Sequence, residues 1–290
     1  MARSKRKSQT SPPGGLPLKL KFLIAAHTFA FNASRRPDGS LHRCLMNLFD
    51  PKSPATRRPI KGVAFSNVTV DASLNLWFRL YTPSLSPVPN DPALPFILFF
   101  HAGGFALSAA NSKVYDDFCR RLAFHVPAIV ASVNYCRSPE HPFPTPYDDG
   151  ITTLKFIDDV QEGSFLPAVT DLSRSFIAGD SAGGNIAHHV AARAGEHVFK
   201  KVKIRGLFWK AFLPKGADRN HVAASVWSAD ISATKFLETM LAVGGYDLLQ
   251  DWQRRYERWL KECRKLVQLV EYPNAVHVFM PFQDCPNLLC

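Results

Sequence analysis

A chain of 290 residues can bury a sizeable core, and 46% hydrophobic against 20% charged residues excludes a disordered or fibrous protein. The formal charge of +11 is concentrated in residues 1–36, where Arg3, Lys5, Arg6, Lys7, Lys19, Lys21, Arg35 and Arg36 stand with no acid. The rest carries 27 basic against 24 acidic residues, a balance that argues against a general phosphate-binding surface and so against nucleic acid as partner.

Residues 1–15 read as a disordered basic tail, a solvated segment before the folded body. Leu20 to Phe31 looks superficially like an export signal, but Lys21 and His27 interrupt the apolar run and no small-x-small site follows. Helical spacing of Leu20, Leu23, Ile24, His27 and Phe31 predicts an amphipathic helix over 16–33 packed on the body. No stretch approaches the roughly 18 uninterrupted apolar residues of a membrane span. Six cysteines scattered without CxxC pairs suit reduced thiols, and with them a cytoplasmic, or also nuclear, protein.

Two runs with strand-like alternation, Val63–Val70 and Leu74–Tyr81, flank a polar turn at Asp71-Ala72-Ser73 and predict an antiparallel pair. A Pro-rich loop from Thr82 to Pro95 follows. Short apolar runs at Phe96–Phe100, Ala128–Val133, Phe176–Ala178, Lys203–Leu207, Met240–Val243 and Leu266–Val270 then alternate with helical patterns at 112–125, 147–160, 184–197 and 250–263. That alternation predicts an α/β protein with a mostly parallel central sheet and helices on both faces.

Three groups of residues carry chemistry. Gly179-Asp180-Ser181-Ala182-Gly183 sits between a strand and a helix, the setting of a nucleophile elbow. The turn is so tight that the residues two before and two after the serine have no room for a Cβ. By chance a chain of this length shows Gly-x-Ser-x-Gly about one time in ten, so the strand before it and the helix after it carry the reading. The helix N-terminus also directs its positive end toward developing negative charge. His101-Ala102-Gly103-Gly104 directly follows the buried run Phe96–Phe100 and offers close-approaching N–H groups for an oxyanion. The expected donors are Gly103, Gly104 and Ala182.

The third group is an acid followed by a base, in the chain order Ser, Asp, His. Asp247 follows the strand Met240–Val243, and His277 lies in a loop after Leu266–Val270. Both fall outside strand C-termini, where α/β sheets gather ligand groups. His277 is expected to move the Ser181 proton, and Asp247 to hold the imidazole. Asp251, inside a helical pattern, is the rival acid. His188 and His189 read as packed or surface residues, and His101 as a shaper of the oxyanion loop; His125 and His221 have no constellation around them.

With these motifs in hand the chain is similar to a known family. His101-Ala102-Gly103-Gly104-Phe105, Pro139-Glu140-His141-Pro142-Phe143-Pro144, Tyr147-Asp148-Asp149-Gly150 and Gly179-Asp180-Ser181-Ala182-Gly183-Gly184-Asn185 resemble the hormone-sensitive-lipase-like group. Arg35-Arg36-Pro37-Asp38-Gly39 and Gly244-Gly245-Tyr246-Asp247, with Asp251-Trp252-Gln253 after it, narrow the resemblance to plant carboxylesterases, the branch that also produced the gibberellin receptors.

The resemblance covers roughly residues 16–280 and implies a single α/β-hydrolase domain over 16–290. Residues 16–50 would form an N-terminal cap segment, with the core at about 60–290. It implies a serine esterase that needs no cofactor or metal and acts on small apolar esters. The alternatives it leaves are a hormone receptor, whose family members typically lack the catalytic histidine, and an inactive esterase relative.

Departures from the family pattern are Ala102 in place of a glycine and Cys136-Arg137-Ser138 in place of Arg-Leu-Ala. Gly206-Leu207-Phe208 also runs straight into Trp209, where members carry a further few dozen residues of cap and acyl pocket. The C-terminal helix is expected to be shortened.

Overall fold

In the computed structural model the described residues are 29, 32–34, 36–38, 40–84, 93–161, 163–210, 231, 236–247, 249–273 and 275–277. The expected tail 1–15, most of the expected helix 16–33, and His221 lie outside them. Among the described residues, nine strands form one sheet in the order β1-β2-β3-β5-β4-β6-β7-β8-β9. The strands are β1 (Thr56–Ile60), β2 (Val63–Asp71), β3 (Leu76–Pro83), β4 (Leu94–Phe100), β5 (Ile129–Asn134), β6 (Thr170–Asp180), β7 (Ile204–Lys210), β8 (Glu238–Gly244) and β9 (Val267–Tyr272). From β5 through β4 to β9 every pairing is parallel, whereas β1, β2, β3 and β5 pair antiparallel.

The helices are α1 (Arg43–Leu48), α2 (Lys113–His125), α3 (Thr145–Asp158), α4 (Ala182–Ala194) and α5 (Gln250–Glu262). They cover both faces of the sheet. One core cluster joins Leu98, Phe100, Ile129 and Val133 to Leu154 of α3, Ile186 and Val190 of α4, and Tyr256 and Leu260 of α5. The other joins Ile97, Phe99 and Val130 to Tyr115, Phe118 and Cys119 of α2. Strand β5 is buried at all six positions, because layers on both sides leave no face for water.

The strands and helices expected from Val63 to Val270 are all present, with shifted ends. The β2–β3 turn extends to Asn75, so β3 starts at Leu76 and Leu74 is exposed. The cause is local: Asp71 Oδ1 accepts from the Ser73 N–H at 2.8 Å and its hydroxyl at 2.6 Å, an Asx turn that carries Asn75 to φ 51°. Strand β7 continues past Leu207 to Lys210, because β6 and β8 offer partners on both sides, with Lys210 opposite Asp180 and Trp209 opposite Leu241. Strand β6 begins at Thr170, well before Phe176, by pairing its polar first half with Leu94 and Pro95. Strand β1 and the six-residue α1 were not anticipated; β1 carries Pro59 and pairs on one side only.

In the sheet order, β4 neighbours β5 on one side and β6 on the other, so the direction of winding reverses there. A crevice opens outside the C-terminal ends of the strands at such a point.

Candidate active site

The chain leaves β4 at Phe100 into His101–Gly104 and leaves β6 at Asp180 into Ser181. The two segments therefore meet at the crevice. Ser181 is the N-cap of α4, is 4% exposed, and has φ 53° and ψ −123°. An L-residue rarely takes that conformation, and holding it stores strain in the turn. The flanking glycines make the turn possible. A Cβ on Gly179 would overlap the Gly183 carbonyl and lie 2.8 Å from the Gly184 nitrogen. One on Gly183 would overlap the Phe100 oxygen and sit 2.7 Å from that of His101. The second clash shows that the start of α4 lies directly on the end of β4.

Asp247 and His277 arrive from β8 and β9. Gly245 N–H donates to the Tyr272 carbonyl and Tyr246 N–H to that of Ala275, both at 2.9 Å, binding the acid's turn to the histidine's loop. His277 Nδ1 then lies 3.0 and 2.9 Å from the two oxygens of Asp247, and Nε2 lies 3.2 Å from Ser181 Oγ. An ionised carboxylate only accepts, so the proton sits on Nδ1 and Nε2 accepts from the serine hydroxyl.

Asp247 is fully buried while His277 is 29% exposed. Burial opposes the Asp247 charge. The His277 hydrogen bond and charge, the Leu249 N–H and the Gln253 amide outweigh it and hold the carboxyl below its usual range. Leu249 N–H reaches Oδ1 at 2.9 Å and Gln253 Nε2 reaches Oδ2 at 2.8 Å.

Gln253 belongs to the Asp251-Trp252-Gln253 segment of the family resemblance, but the sequence assigns it no role. Its signal was weak, six residues beyond the acid and in the first turn of the next helix. The rival acid Asp251 is exposed in that same turn, while Asp247 holds both contacts to His277.

The loop after β4 places Gly103 at φ 125° and Gly104 at φ 57°, and a Cβ on Gly103 would overlap the Leu107 carbonyl. Ala102 has no positive φ and is buried, so the missing glycine there adds no backbone strain. Its N–H donates to the Tyr115 hydroxyl at 3.1 Å. The contact of Gly183 with the Phe100 and His101 carbonyls sets the start of α4, where Ala182 lies, against the end of β4, from which the loop to Gly103 and Gly104 departs.

His101 is fully buried, stacks on Tyr135 at 4.3 Å, and donates from Nδ1 to the Ala102 carbonyl at 2.7 Å. Burial drives its pKa down to about 3, so it is neutral and structural in this loop. His188 is also buried, 2.8 Å from the Tyr256 hydroxyl, and is packed as expected. Among the described residues no group of three or more His, Cys, Asp or Glu is arranged to hold a metal ion, and no helix is long and apolar enough to cross a membrane.

A sequence profile of the alpha/beta hydrolase fold matches residues 97–206 and 196–281. The chain is 37% identical over 303 residues to the gibberellin receptor GID1C of Arabidopsis thaliana, covering 90% of this chain and 87% of the receptor. It is 32% identical over 270 residues to the 3-O-acetylpapaveroxine carboxylesterase CXE2 of Papaver somniferum, covering 75% of this chain and 86% of that one. Among solved structures, an esterase of Pyrobaculum calidifontis superposes with a TM-score of 0.67 at 21% identity, over 93% of this chain and 92% of that one, which shows the shared fold. The chain belongs to the α/β-hydrolase fold family, within the plant group that includes both carboxylesterases and gibberellin receptors.

Proposed function

We propose that the chain is a carboxylic ester hydrolase in which Ser181 is the nucleophile, His277 the general base and acid, and Asp247 the group that orients and charges the imidazole. The observation that carries this reading is the continuous line from Asp247 through His277 to Ser181 Oγ, with every link at or under 3.2 Å.

In the proposed reaction Ser181 Oγ attacks the ester carbonyl carbon as its proton passes to His277 Nε2. The carbonyl oxygen takes the negative charge within reach of the N–H groups of Gly103, Gly104 and Ala182, at the positive end of α4. Breaking the carbon–oxygen bond releases the alcohol, which leaves with the proton from His277. Water repeats the sequence on the acyl-serine, freeing the acid and restoring Ser181. Chemistry of this kind draws on side chains and backbone alone. Phe105, half-buried beside Gly104 and edge-on to Tyr147, supports small apolar esters as the substrate class. The thiols of Cys119, Cys136 and Cys263, buried and unpaired, support a cytoplasmic location.

A second reading, a hormone receptor that uses the same crevice to hold a ligand, is favoured by one observation. The gibberellin receptor GID1C matches at 37% identity, above the 32% of the poppy carboxylesterase. Retention of His277 in line with Ser181 supports the enzyme. Turnover of p-nitrophenyl acetate and butyrate by the purified chain, beside Ser181→Ala, separates the two. The esterase reading expects hydrolysis that Ser181→Ala abolishes, whereas equal rates in both proteins, with calorimetric gibberellin binding, would replace it with the receptor.

A further inference from the structure

The segment carrying the proposed oxyanion donors is held by side chains outside the serine, histidine and aspartate. The peptide joining His101 to Ala102 is bonded on both edges by tyrosine hydroxyls. Tyr135 donates to its carbonyl oxygen at 2.9 Å, and Tyr115 accepts from its N–H at 3.1 Å. The Tyr115 hydroxyl in turn lies 3.1 Å from Asp180 Oδ2, and Asp180 is the residue immediately before Ser181. Tyr115, Ala102 and Asp180 are all within 5% exposure, so no water competes for these bonds. The next peptide, from Ala102 to Gly103, has its carbonyl fixed by His101 Nδ1, which turns the Gly103 N–H the opposite way.

We propose that Tyr115 is a positioning residue that locks the oxyanion loop to the nucleophile turn, its oxygen accepting from the Ala102 N–H and its proton going to Asp180. The role follows from the phenol's inventory: one hydroxyl donates once and accepts, so a single atom joins two segments 78 residues apart in sequence, Ala102 and Asp180. Burial, and then the Asp180 charge, push the Tyr115 hydroxyl well above its ordinary pKa, so it keeps the proton it donates. Tyr115 stands in the first turn of α2 with its ring against Phe99 and His101, at 6.2 and 5.6 Å. Helix α2 therefore sets the position of the hydroxyl. Ala102 fits the same arrangement, because its N–H serves the lock and leaves Gly103, Gly104 and Ala182 for the oxyanion. This assignment rests on the ester-hydrolase reading for its effect on rate, but not for the lock itself.

Tyr115→Phe deletes the hydroxyl and keeps the ring. The test compares it with the unaltered protein in p-nitrophenyl butyrate hydrolysis, with active sites counted by fluorophosphonate titration, and in amide hydrogen exchange read by mass spectrometry. We expect kcat per titrated site to fall on the order of 10- to 100-fold, as a displacement of the donors by a fraction of an ångström implies. KM should stay within about 3-fold, since the loss is confined to the transition state. Exchange should quicken in peptides spanning 101–107 and 180–184 while β5 and α3 keep their protection.

A residue that only supports packing would lower the number of titratable sites and leave kcat per site and local exchange unchanged; that result overturns the proposal. Tyr135→Phe, acting on the other edge of the same peptide, carries the test with the same expected pattern if Tyr115→Phe does not fold. Should the unaltered protein hydrolyse nothing, the ester-hydrolase reading fails, and hydrogen exchange alone still decides whether the lock exists.

Discussion

The carboxylate of Asp247 grips the Nδ1 edge of His277 with both of its oxygens, at 3.0 and 2.9 Å, from a site with no exposure of its own. A buried anion in that position fixes the tautomer and stabilises the imidazolium that forms during proton transfer. Asp247→Asn keeps the shape but offers an amide N–H toward Nδ1, which favours the wrong tautomer. The expected loss in kcat is about 10,000-fold, read in p-nitrophenyl butyrate hydrolysis. Asp251→Asn, altering an exposed helix residue, should leave kcat within about 2-fold. The reverse pattern would transfer the role to Asp251.

Gln253 donates to Asp247 Oδ2 with no exposure to solvent. Replacing it by leucine leaves a buried carboxylate short of one charge-assisted hydrogen bond. Urea unfolding should show a loss of about 1.5–3 kcal/mol. Because the carboxylate then moves more freely, kcat should fall roughly 10-fold with little change in KM. Stability and kcat both unchanged would mean that Asp247 needs no second anchor.

Two neighbouring positions in the loop after β4 should respond in opposite ways. Gly103→Ala places a Cβ onto the Leu107 carbonyl at φ 125°, so the loop must rebuild or the protein unfold. Such a change is expected to cost more than about 3 kcal/mol and to abolish turnover. Ala102→Gly restores the glycine of the family pattern in a backbone that does not need it. Its cost should be about 0.5–1 kcal/mol, from the freer unfolded chain, with kcat nearly unaltered. Thermal or urea unfolding of the two variants measures the contrast.

Acid should weaken the fold through the buried histidines. His101 is driven by burial to a pKa of about 3, and burial, then the neighbouring His189, lower His188 in the same direction. In the unfolded chain a histidine takes up its proton near pH 6.5, so below that pH protons bind the unfolded state first. Stability is therefore full above about pH 6.5 and falls as the pH drops below it, by up to about 1.4 kcal/mol per pH unit for each group. His101→Phe keeps the stacked ring and removes one titrating group. Between pH 6.5 and 5 it should lose about 2 kcal/mol less than the unaltered protein, measured by urea midpoints. Equal losses would show that His101 is protonated in the folded protein.

How much of this was legible in the sequence depends on how local each signal is. The turn at Ser181 was legible because its glycines answer a steric demand two residues away on either side. Buried strands such as β4 and β5 were legible because two covered faces demand continuous apolar runs. Asp247 and His277 could be placed because strand ends in a parallel sheet point to one crevice. Strand β1, Thr56-Arg57-Arg58-Pro59-Ile60, was not legible, since it holds a proline, lacks alternation and exists only by pairing with β2. The polar first half of β6 was missed for the same reason, that its partner in β4 decides it. The roles of Gln253 and Tyr115 were not legible because they arise from contacts made only after folding; Tyr115 and Asp180 are 65 residues apart.

Activation of Ser181 by His277 and Asp247 can be read at the serine itself by covalent labelling. A fluorophosphonate probe reacts with an activated serine, and peptide mapping by mass spectrometry locates the adduct. A single adduct is expected on the peptide containing Ser181, none in Ser181→Ala, and labelling slowed by at least about 1,000-fold in His277→Ala. No adduct on Ser181, or equal labelling rates with and without His277, would contradict it.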